Sequence, residues 1–366
     1  MACQPLYDKL FKPNIMSYTP SSLVACPNLQ EDLDRIFGAE PAKYYIEPVP
    51  FTQYLMSPAN RSDLKMMVSP GSAKTRTVQA IYQPRILSSE VQSNVSDYCN
   101  ASTERGTTST TYSIDTTQNL FIEQSFDVDN LAAACRDNAD WFNDQILKMV
   151  VAMDSRVNQK NATQAGALLG GWSADVSGIP FATLSADVLK VRTQKTASDT
   201  DIFYQSQQAV VSAAEASHFG QFITIGGFGL HNYMKMMEHG CCASSGLDVA
   251  SLQREFGFAS VRDRDVATAA GGNEFAWAVA NGSLQVLYYN RWQGLFESRD
   301  ANQSYGVINS PSTGMAYDLV VKHDCGVIDV TLTATTKLVA LPDDMFQTGD
   351  HMEGVKGFAA IEVDNA

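Results

Sequence analysis

The stretch ASTERGTTSTTYSID, residues 101–115, poses the problem that the fold has to solve. It holds five threonines and three serines in fifteen positions. Threonine favours strands because its branched Cβ suits a pleated surface. In a strand, Thr108, Thr110, Tyr112 and Ile114 share one face, and of these only Tyr112 and Ile114 are large and apolar. The pattern predicts a strand that has little of its own to bury.

A second strand is predicted upstream, in KTRTVQAIYQPR at residues 74–85. A polar, loop-like segment separates the two stretches, so they can pair as a long hairpin. Neither stretch presents a continuous apolar face, and a lone two-stranded ribbon is marginal in water. We therefore expect this ribbon to pack on something outside itself.

The strongest helical pattern begins at about Val128 and runs beyond Val157. Its apolar residues recur at spacings of three or four and form one stripe: Cys135, Ala139, Phe142, Ile146, Met149, Met153 and Val157. About 30–38 residues at ~1.5 Å each predict a helix of about 45–57 Å. A coiled coil or bundle is the ordinary interpretation of such a stripe, but no second helix of similar length is predicted to pair with this one.

The chain on either side of these elements differs in character. Nine of the 13 prolines fall within the first 70 residues, so this region is predicted to be mostly extended. Its aromatic residues indicate that it lies along a surface of its own or a neighbouring chain. The centre predicts a helix at 206–219, a buried strand at 221–227 and a helix at 229–240.

The C-terminal third predicts strands. Residues 275–292 indicate aromatic-rich strands around a turn at Asn281 and Gly282. Residues 327–342 alternate, and 357–363 can add a last strand. In the alternating run, Ile328, Val330, Leu332, Ala334, Leu338 and Ala340 are predicted to face one way, and Asp329, Thr331, Thr333, Thr335 and Lys337 mostly to face solvent. The whole pattern predicts an α+β fold.

Composition limits the possible functions. A net charge of −14 argues against a protein that grips nucleic acid mainly through its phosphates. No apolar run approaches the ~20 residues of a membrane helix, and the start MACQPLYDKLFKP lacks the apolar core of a secretory signal. Seven scattered cysteines indicate reduced thiols and a protein made and used inside a cell.

Motifs for catalysis or metal binding are weak. His231, His239, Cys241 and Cys242 form the only local cluster of metal-ligand types, but adjacent cysteines are a poor zinc pair. We expect a helix end with partly buried thiols there, and no metal or cofactor. The glycines at 226–229 follow a predicted strand, where a turn into the next helix is expected rather than a phosphate loop.

The order of parts resembles that of tailed-bacteriophage major capsid proteins, which have the Hong Kong 97-type shell fold. The resemblance implies an N-terminal arm at 1–70, an extended hairpin called the E-loop with flanking strands at 71–125, and a P-domain with a long spine helix at 126–204. It further implies a central A-domain at 205–316 and C-terminal strands at 317–366 that return to the P-domain. The ribbon stretches and the helix are also similar to capsid proteins of phages that infect Bacteroidetes.

This resemblance implies a structural subunit, not an enzyme, that self-assembles into hexamers and pentamers and closes an icosahedral shell around the genome. The E-loop would lie across a neighbouring subunit, and the implied contact residues are Arg76, Tyr82, Arg85, Tyr112 and Ile114. Other implied partners are a separate scaffold protein, a portal, and packaged DNA that is not bound sequence-specifically, with no membrane. The implied location is the virion capsid, assembled in the host cytoplasm.

Three alternatives stay open from the sequence. The same fold serves encapsulins, which are bacterial nanocompartments. Another virion component, such as a tail-tube or portal-associated protein, would share the dependence on assembly. A soluble enzyme would instead be a compact monomer or small oligomer with a protected N-terminus.

Overall fold

The computed structural model describes most of the chain outside its N-terminal region. The described residues are 49–60, 65–69, 75–82, 108–127, 141–180, 182–185, 187–192, 199–217, 219, 221–226, 259–266, 275–292, 303–324, 327–342 and 357–364. Helices and antiparallel and mixed sheets occur together, so the predicted α+β class is confirmed. Within these ranges no helix is both long and apolar enough to cross a bilayer.

The elements are numbered here along the chain. The helices are α1 (Pro50–Met56), α2 (Trp141–Leu168) and α3 (Asp199–Ala216), with 3₁₀ turns at Pro58–Asn60 and Ala174–Gly178. The strands are β1 (Lys65–Ser69), β2 (Thr75–Tyr82), β3 (Thr108–Asp115), β4 (Leu120–Asp127), β5 (Ala182–Ser185), β6 (Val188–Arg192), β7 (Phe222–Gly226), β8 (Ala259–Arg262), β9 (Phe275–Ala280), β10 (Leu284–Tyr288), β11 (Gln303–Asn309), β12 (Ala316–Asp324), β13 (Val327–Ala334), β14 (Thr336–Ala340) and β15 (Phe358–Asp364).

Helix α2 is the long helix that the apolar stripe predicts. It has 28 residues, about 42 Å at ~1.5 Å per residue. The predicted stripe residues Ile146, Met149, Met153 and Val157 are all buried. Asp144 lies in the first turn, where a carboxylate suits the helix dipole. The earlier part of the predicted helix, from Val128, lies outside the described residues.

The buried stripe of α2 packs on an antiparallel sheet of order β11-β12-β13-β4. The alternation predicted for residues 327–334 is confirmed, because Ile328, Val330, Leu332 and Ala334 all enter the core beneath α2. Strand β13 pairs with β4 from Val327↔Asp127 to Ala334↔Leu120. The strand that follows the ribbon is therefore joined directly to the C-terminal part of the chain.

A six-stranded mixed sheet of order β5-β6-β15-β9-β7-β8 forms a second layer, with α3 packed in its own core. The predicted strand at 221–227 is confirmed as β7, all of whose residues are buried. The predicted last strand is confirmed as β15, and it lies in the sheet interior, parallel to β6 and antiparallel to β9. The indole of Trp172 stacks on Phe219 and donates to the Ala360 carbonyl at 2.8 Å.

The predicted strands around the turn at Asn281 and Gly282 are confirmed as β9 and β10, but they belong to different sheets. The strands on either side of Asn281 and Gly282 do not pair with each other: β9 lies in the six-stranded sheet and β10 pairs with β14. The Asn60 side chain binds both sides of this turn: it accepts from the Gly282 amide at 3.0 Å and donates to the Leu284 carbonyl at 2.8 Å. Likewise, residues 327–342 are not one strand. Thr335 is buried rather than solvent-facing, and the chain changes sheets there.

Helix α1 fastens the two layers together. Its Phe51 ring is buried and meets Trp277 of the six-stranded sheet edge-on, with ring centroids 5.6 Å apart. Asn158 of α2 accepts from the Thr52 amide at 3.0 Å and from its hydroxyl at 2.9 Å. The same Asn158 amide group donates to Asp263, whose carboxylate also accepts from the Phe51 amide at 2.9 Å.

A buried carboxylate ties the β11–β12 turn to α2. Asp154 accepts hydrogen bonds from the hydroxyls of Ser310 and Ser312, both at 2.6 Å, from Thr313 at 3.1 Å and from Tyr317 at 2.5 Å. Burial raises the pKa of Asp154 above its ordinary value, and the four hydroxyl donors oppose that shift without cancelling it. The four hydroxyl donors therefore favour the ionised carboxylate, whereas burial favours its protonated form.

We expect Phe51→Ala to lower the free energy of unfolding by about 3–5 kcal/mol, since it leaves a cavity between α1 and the six-stranded sheet. Urea unfolding followed by tryptophan fluorescence measures this change, because Trp277 lies against the missing ring. Gln53→Ala changes an exposed residue of the same helix, removes only its hydrogen bond to the Ser312 carbonyl and should cost about 1 kcal/mol or less. Equal effects of the two substitutions would mean that α1 is not docked.

The stability difference between the wild type and Asp154→Asn should depend on pH. Because the folded-state pKa of Asp154 is raised, its stabilising contribution is fully present below the unfolded-state pKa and is lost as pH rises through the folded-state pKa. The wild type should thus gain stability relative to Asp154→Asn as pH falls from neutral towards about 4. Chemical unfolding at a series of pH values checks this, and Asp318, whose pKa is also raised by burial, cancels because both proteins contain it. A difference that is constant with pH would contradict the assignment.

Candidate subunit-contact surface

The ribbon predicted from the opening stretch is present. Strands β2 and β3 pair antiparallel from Thr75↔Asp115 to Tyr82↔Thr108, which confirms the predicted pairing. Strand β1 adds a third strand on the other side of β2, from Lys65↔Ile81 to Ser69↔Thr77. This sheet thus includes residues 65–69, which the sequence assigned to the N-terminal arm.

The base of the ribbon packs on its own chain. Val78 and Ile114 are buried, and they form a small core with Leu287 of β10, Val339 of β14 and Leu341 just beyond it. Among the β2 and β3 side chains that the structure describes, these are the two that are buried. The ribbon is therefore anchored at one end by a small apolar contact.

Polar contacts fix the same base. The Tyr112 hydroxyl donates to the Ala340 carbonyl at 3.1 Å, and Lys337 Nζ donates to the Ser113 carbonyl at 2.7 Å. The Arg76 guanidinium lies over the Tyr289 ring, 5.2 Å from its centroid, a cation–π distance. Each of these contacts joins the ribbon to the β10–β14 pair.

The turn from β3 into β4 is held from below by α2. Asp115 Oδ1 accepts from the amide of Thr117 at 2.8 Å and from its hydroxyl at 2.6 Å, which closes the turn. Lys160 Nζ donates to the Gln118 carbonyl at 3.3 Å and to the Thr336 carbonyl at 2.8 Å. Burial lowers the pKa of Lys160, consistent with an ammonium group enclosed between the turn and the sheets.

Four of the eight β3 side chains are exposed. Thr108, Ser109, Thr111 and Ser113 all present hydroxyl side chains to solvent. Among the described residues, these exposed hydroxyl side chains do not take part in the chain's own core. This face of β3 is therefore the candidate contact surface.

The structure assigns the five predicted contact residues differently. The Ile114 side chain is only 2% exposed because it lies in its own chain's core, and its contact with a neighbour stays a prediction. Tyr112 and Arg76 are half-buried and contact their own β14 and Tyr289, so their contact with a neighbour stays a prediction. The Tyr82 backbone pairs with Thr108, while its side chain and all of Arg85 lie outside the described residues.

Sequence reasoning missed the platform that receives the ribbon. Strand β14 is buried on both faces, since Leu338 enters the core beneath α2 whereas Val339 enters the ribbon core. The signal was the uninterrupted apolar run LVAL at 338–341, which is typical of a strand covered on both sides. The Lys160 contact left no comparable signal in the sequence.

Within the described ranges, no three His, Cys, Asp or Glu side chains are grouped so that they could hold a metal ion. The cluster at His231, His239, Cys241 and Cys242 lies outside those ranges, as do the glycines at 227 and 229.

Solved structures of phage capsids and of a virus-like particle are similar to this chain. The capsid of Myoviridae phage XM1 is 11% identical, with 80% of this chain and 87% of that chain covered and a TM-score of 0.41. The cyanophage A-1(L) capsid is 13% identical, with 89% and 95% covered and a TM-score of 0.48. A virus-like particle from Pyrococcus furiosus is 10% identical, with 86% and 98% covered and a TM-score of 0.33. No protein-family model matches the chain, and no curated protein matches it.

Ile114→Ala should release the ribbon base in the isolated chain. Removing a buried isoleucine costs about 2–5 kcal/mol, and the small core around it has little else to hold the strands. Hydrogen exchange of the 75–82 and 108–115 peptides should become faster, whereas Ser113→Ala, an exposed neighbour on the same strand, should leave it unchanged. If Ile114→Ala changes exchange only after assembly, Ile114 contacts a neighbour after all.

Proposed function

We propose that this chain is the structural subunit of a phage capsid shell of the Hong Kong 97 type. The observation that carries the proposal is strand β3 of the ribbon, which is anchored through Ile114 at its base while its Thr108, Ser109 and Thr111 side chains are exposed. A sheet that served only the stability of its own chain would bury one face along its length. A ribbon with this arrangement is suited to complete its packing on another molecule.

The rest of the fold supports the same proposal. The long helix α2 and the four-stranded sheet share the largest core, in which the apolar stripe of the helix is buried. The ribbon connects to that core through the turn at Asp115–Thr117 and the Lys160 contacts. The exposed strands are thus joined to the largest core of the subunit.

The finer parts of the proposal concern assembly. We propose hexamers and pentamers as the building blocks, a separate scaffold protein, a portal and packaged DNA as partners, and assembly in the host cytoplasm. The subunit would not be an enzyme. The domain limits at 70, 125, 204 and 316 are part of this proposal, with the strand at 65–69 counted with the ribbon because it pairs with β2.

Expression of the chain followed by sedimentation and negative-stain electron microscopy tests the proposal. We expect a fast-sedimenting fraction of closed shells, or rings of five and six subunits, because area buried between subunits stabilises such a chain on assembly. Limited proteolysis of the slow fraction should cleave within residues 1–125 first. Co-expression with the adjacent virion genes supplies a scaffold if the chain alone stays unassembled.

Other outcomes separate the alternatives. Tubes would favour a tail-tube protein, and shells that enclose an enzyme and no DNA would favour a nanocompartment. A compact monomer in both expression formats, with residues 1–125 resistant to protease, would contradict the capsid proposal.

A further inference from the structure

The turn between β9 and β10 carries the one Asn-Gly pair in the sequence, Asn281–Gly282. Asparagine is chemically labile in proteins, and it is most labile before glycine, because glycine has no Cβ to shield its amide nitrogen from the preceding side chain. Gly282 has a φ of 84°, in the left-handed region that favours glycine. The backbone of this turn therefore calls for the same residue that makes the asparagine reactive.

The reaction of such a pair is deamidation through a cyclic imide. The Gly282 nitrogen loses its proton and attacks Asn281 Cγ, so that a C–N bond forms while the Cγ–Nδ2 bond breaks and ammonia leaves. Water then opens the ring at either carbonyl and leaves an aspartyl or an isoaspartyl residue at position 281. Both products place a new negative charge on a half-buried residue, and the isoaspartyl product also adds a methylene group to the main chain.

The attacking nitrogen of this reaction is held in place by Asn60. The Gly282 amide is buried and donates to Asn60 Oδ1 at 3.0 Å. The same side chain donates to the Leu284 carbonyl at 2.8 Å, so it binds the turn at two points. An amide oxygen is too weak a base to take the proton of Gly282, and burial keeps water away from it. The nitrogen is therefore kept protonated and fixed.

The side chain that is attacked has partners of its own. Asn281 Oδ1 accepts from the Tyr54 hydroxyl at 2.9 Å, and its Nδ2 lies 3.5 Å from Gln221 Oε1, at the limit of a hydrogen bond. Burial raises the pKa of Tyr54, so its hydroxyl stays protonated and keeps donating in mildly alkaline solution. Ring closure has to break these contacts, because the side chain must rotate onto its own main chain.

We propose that Asn281–Gly282 is a deamidation site that the N-terminal segment 50–60, which is α1 and the 3₁₀ turn after it, keeps closed in the folded subunit. Tyr54 holds the side chain that is attacked, and Asn60 holds the nitrogen that attacks, so one segment controls both reacting groups. The pair reacts when this segment leaves its place, and the product records permanently that it has left. The inference goes beyond the proposed shell function and does not rest on it.

Peptide mass spectrometry of the isolated full chain, kept at mildly alkaline pH, tests the proposal. The peptide that contains Asn281 and Gly282 gains the mass difference between an amide and an acid when it reacts, and electron-transfer fragmentation identifies the isoaspartyl product. We expect the pair to react at least about tenfold more slowly in the folded wild type than in the chain unfolded by guanidinium, because reaction in the folded chain waits for local opening of the turn.

Substitutions in the segment 50–60 test the two residues that hold the pair. Asn60→Ala removes the acceptor of the Gly282 amide and should speed deamidation of the folded chain roughly fivefold to a hundredfold, the factor that loss of a buried hydrogen bond gives. Tyr54→Phe removes only the hydroxyl that binds Asn281 and should speed it less, because that contact is part-buried. Gln53→Ala changes an exposed residue of α1 and should keep the wild-type rate. Circular dichroism verifies that each variant is folded.

Three results would overturn the proposal. The first is a folded wild type that deamidates as fast as the unfolded chain, and the second is an unfolded chain in which Asn281 stays an amide. The third is a wild-type rate in every folded variant; if Asn60→Ala does not fold, Tyr54→Phe decides this point. All measurements use the unassembled subunit, so none of these results bears on the shell function.

Discussion

The buried amide of Asn158 is the contact on which the arrangement of layers depends. Its oxygen accepts from Thr52, and its nitrogen donates to Asp263 and to Asp265, the latter at 2.7 Å. An amide is suited to this position because it offers an acceptor and two donors from one side chain. Three segments that lie more than 100 residues apart in sequence therefore meet at one point. Without this contact, Thr52 of α1 would lose two hydrogen bonds to α2, and the Asp263 carboxylate would lose a buried donor.

The β10–β14 pair extends that arrangement outwards to the ribbon. Its residues face two cores at once: Leu284 and Leu338 pack beneath α2, while Leu287 and Val339 pack under the ribbon. The pair is positioned in turn by Asn60, which lies just after α1 and binds the Leu284 carbonyl. The position of the ribbon base is thus set by the same N-terminal segment that joins the two layers. The thin ribbon of the opening stretch is held by a platform rather than by its own strands.

Local patterns in the sequence predicted the elements better than their partners. The stripe through Ile146 and Val157 predicted α2, and the alternation from Ile328 predicted β13, because each pattern reports which face of one element is buried. The placement of β9 and β10 in different sheets was not predicted, since Asn60, which binds the turn at Gly282, lies more than 200 residues away in sequence. The burial of Ile114 within its own chain was not predicted, because burial within a chain and burial between chains leave the same apolar signature in a sequence. The LVAL run was the one readable sign of its true partner.

The contrast between Val78 and Thr111 shows how one sheet can serve two purposes. Where the ribbon faces its own chain it uses branched apolar side chains, and where it faces solvent it uses hydroxyls. Hydroxyl side chains keep an unassembled subunit soluble, since they avoid a large exposed apolar patch. They also cost little to cover once a partner supplies hydrogen bonds, unlike charged groups, which are expensive to desolvate. The composition of β3 therefore matches its two environments, with the apolar Ile114 at the buried end and hydroxyls at the exposed positions.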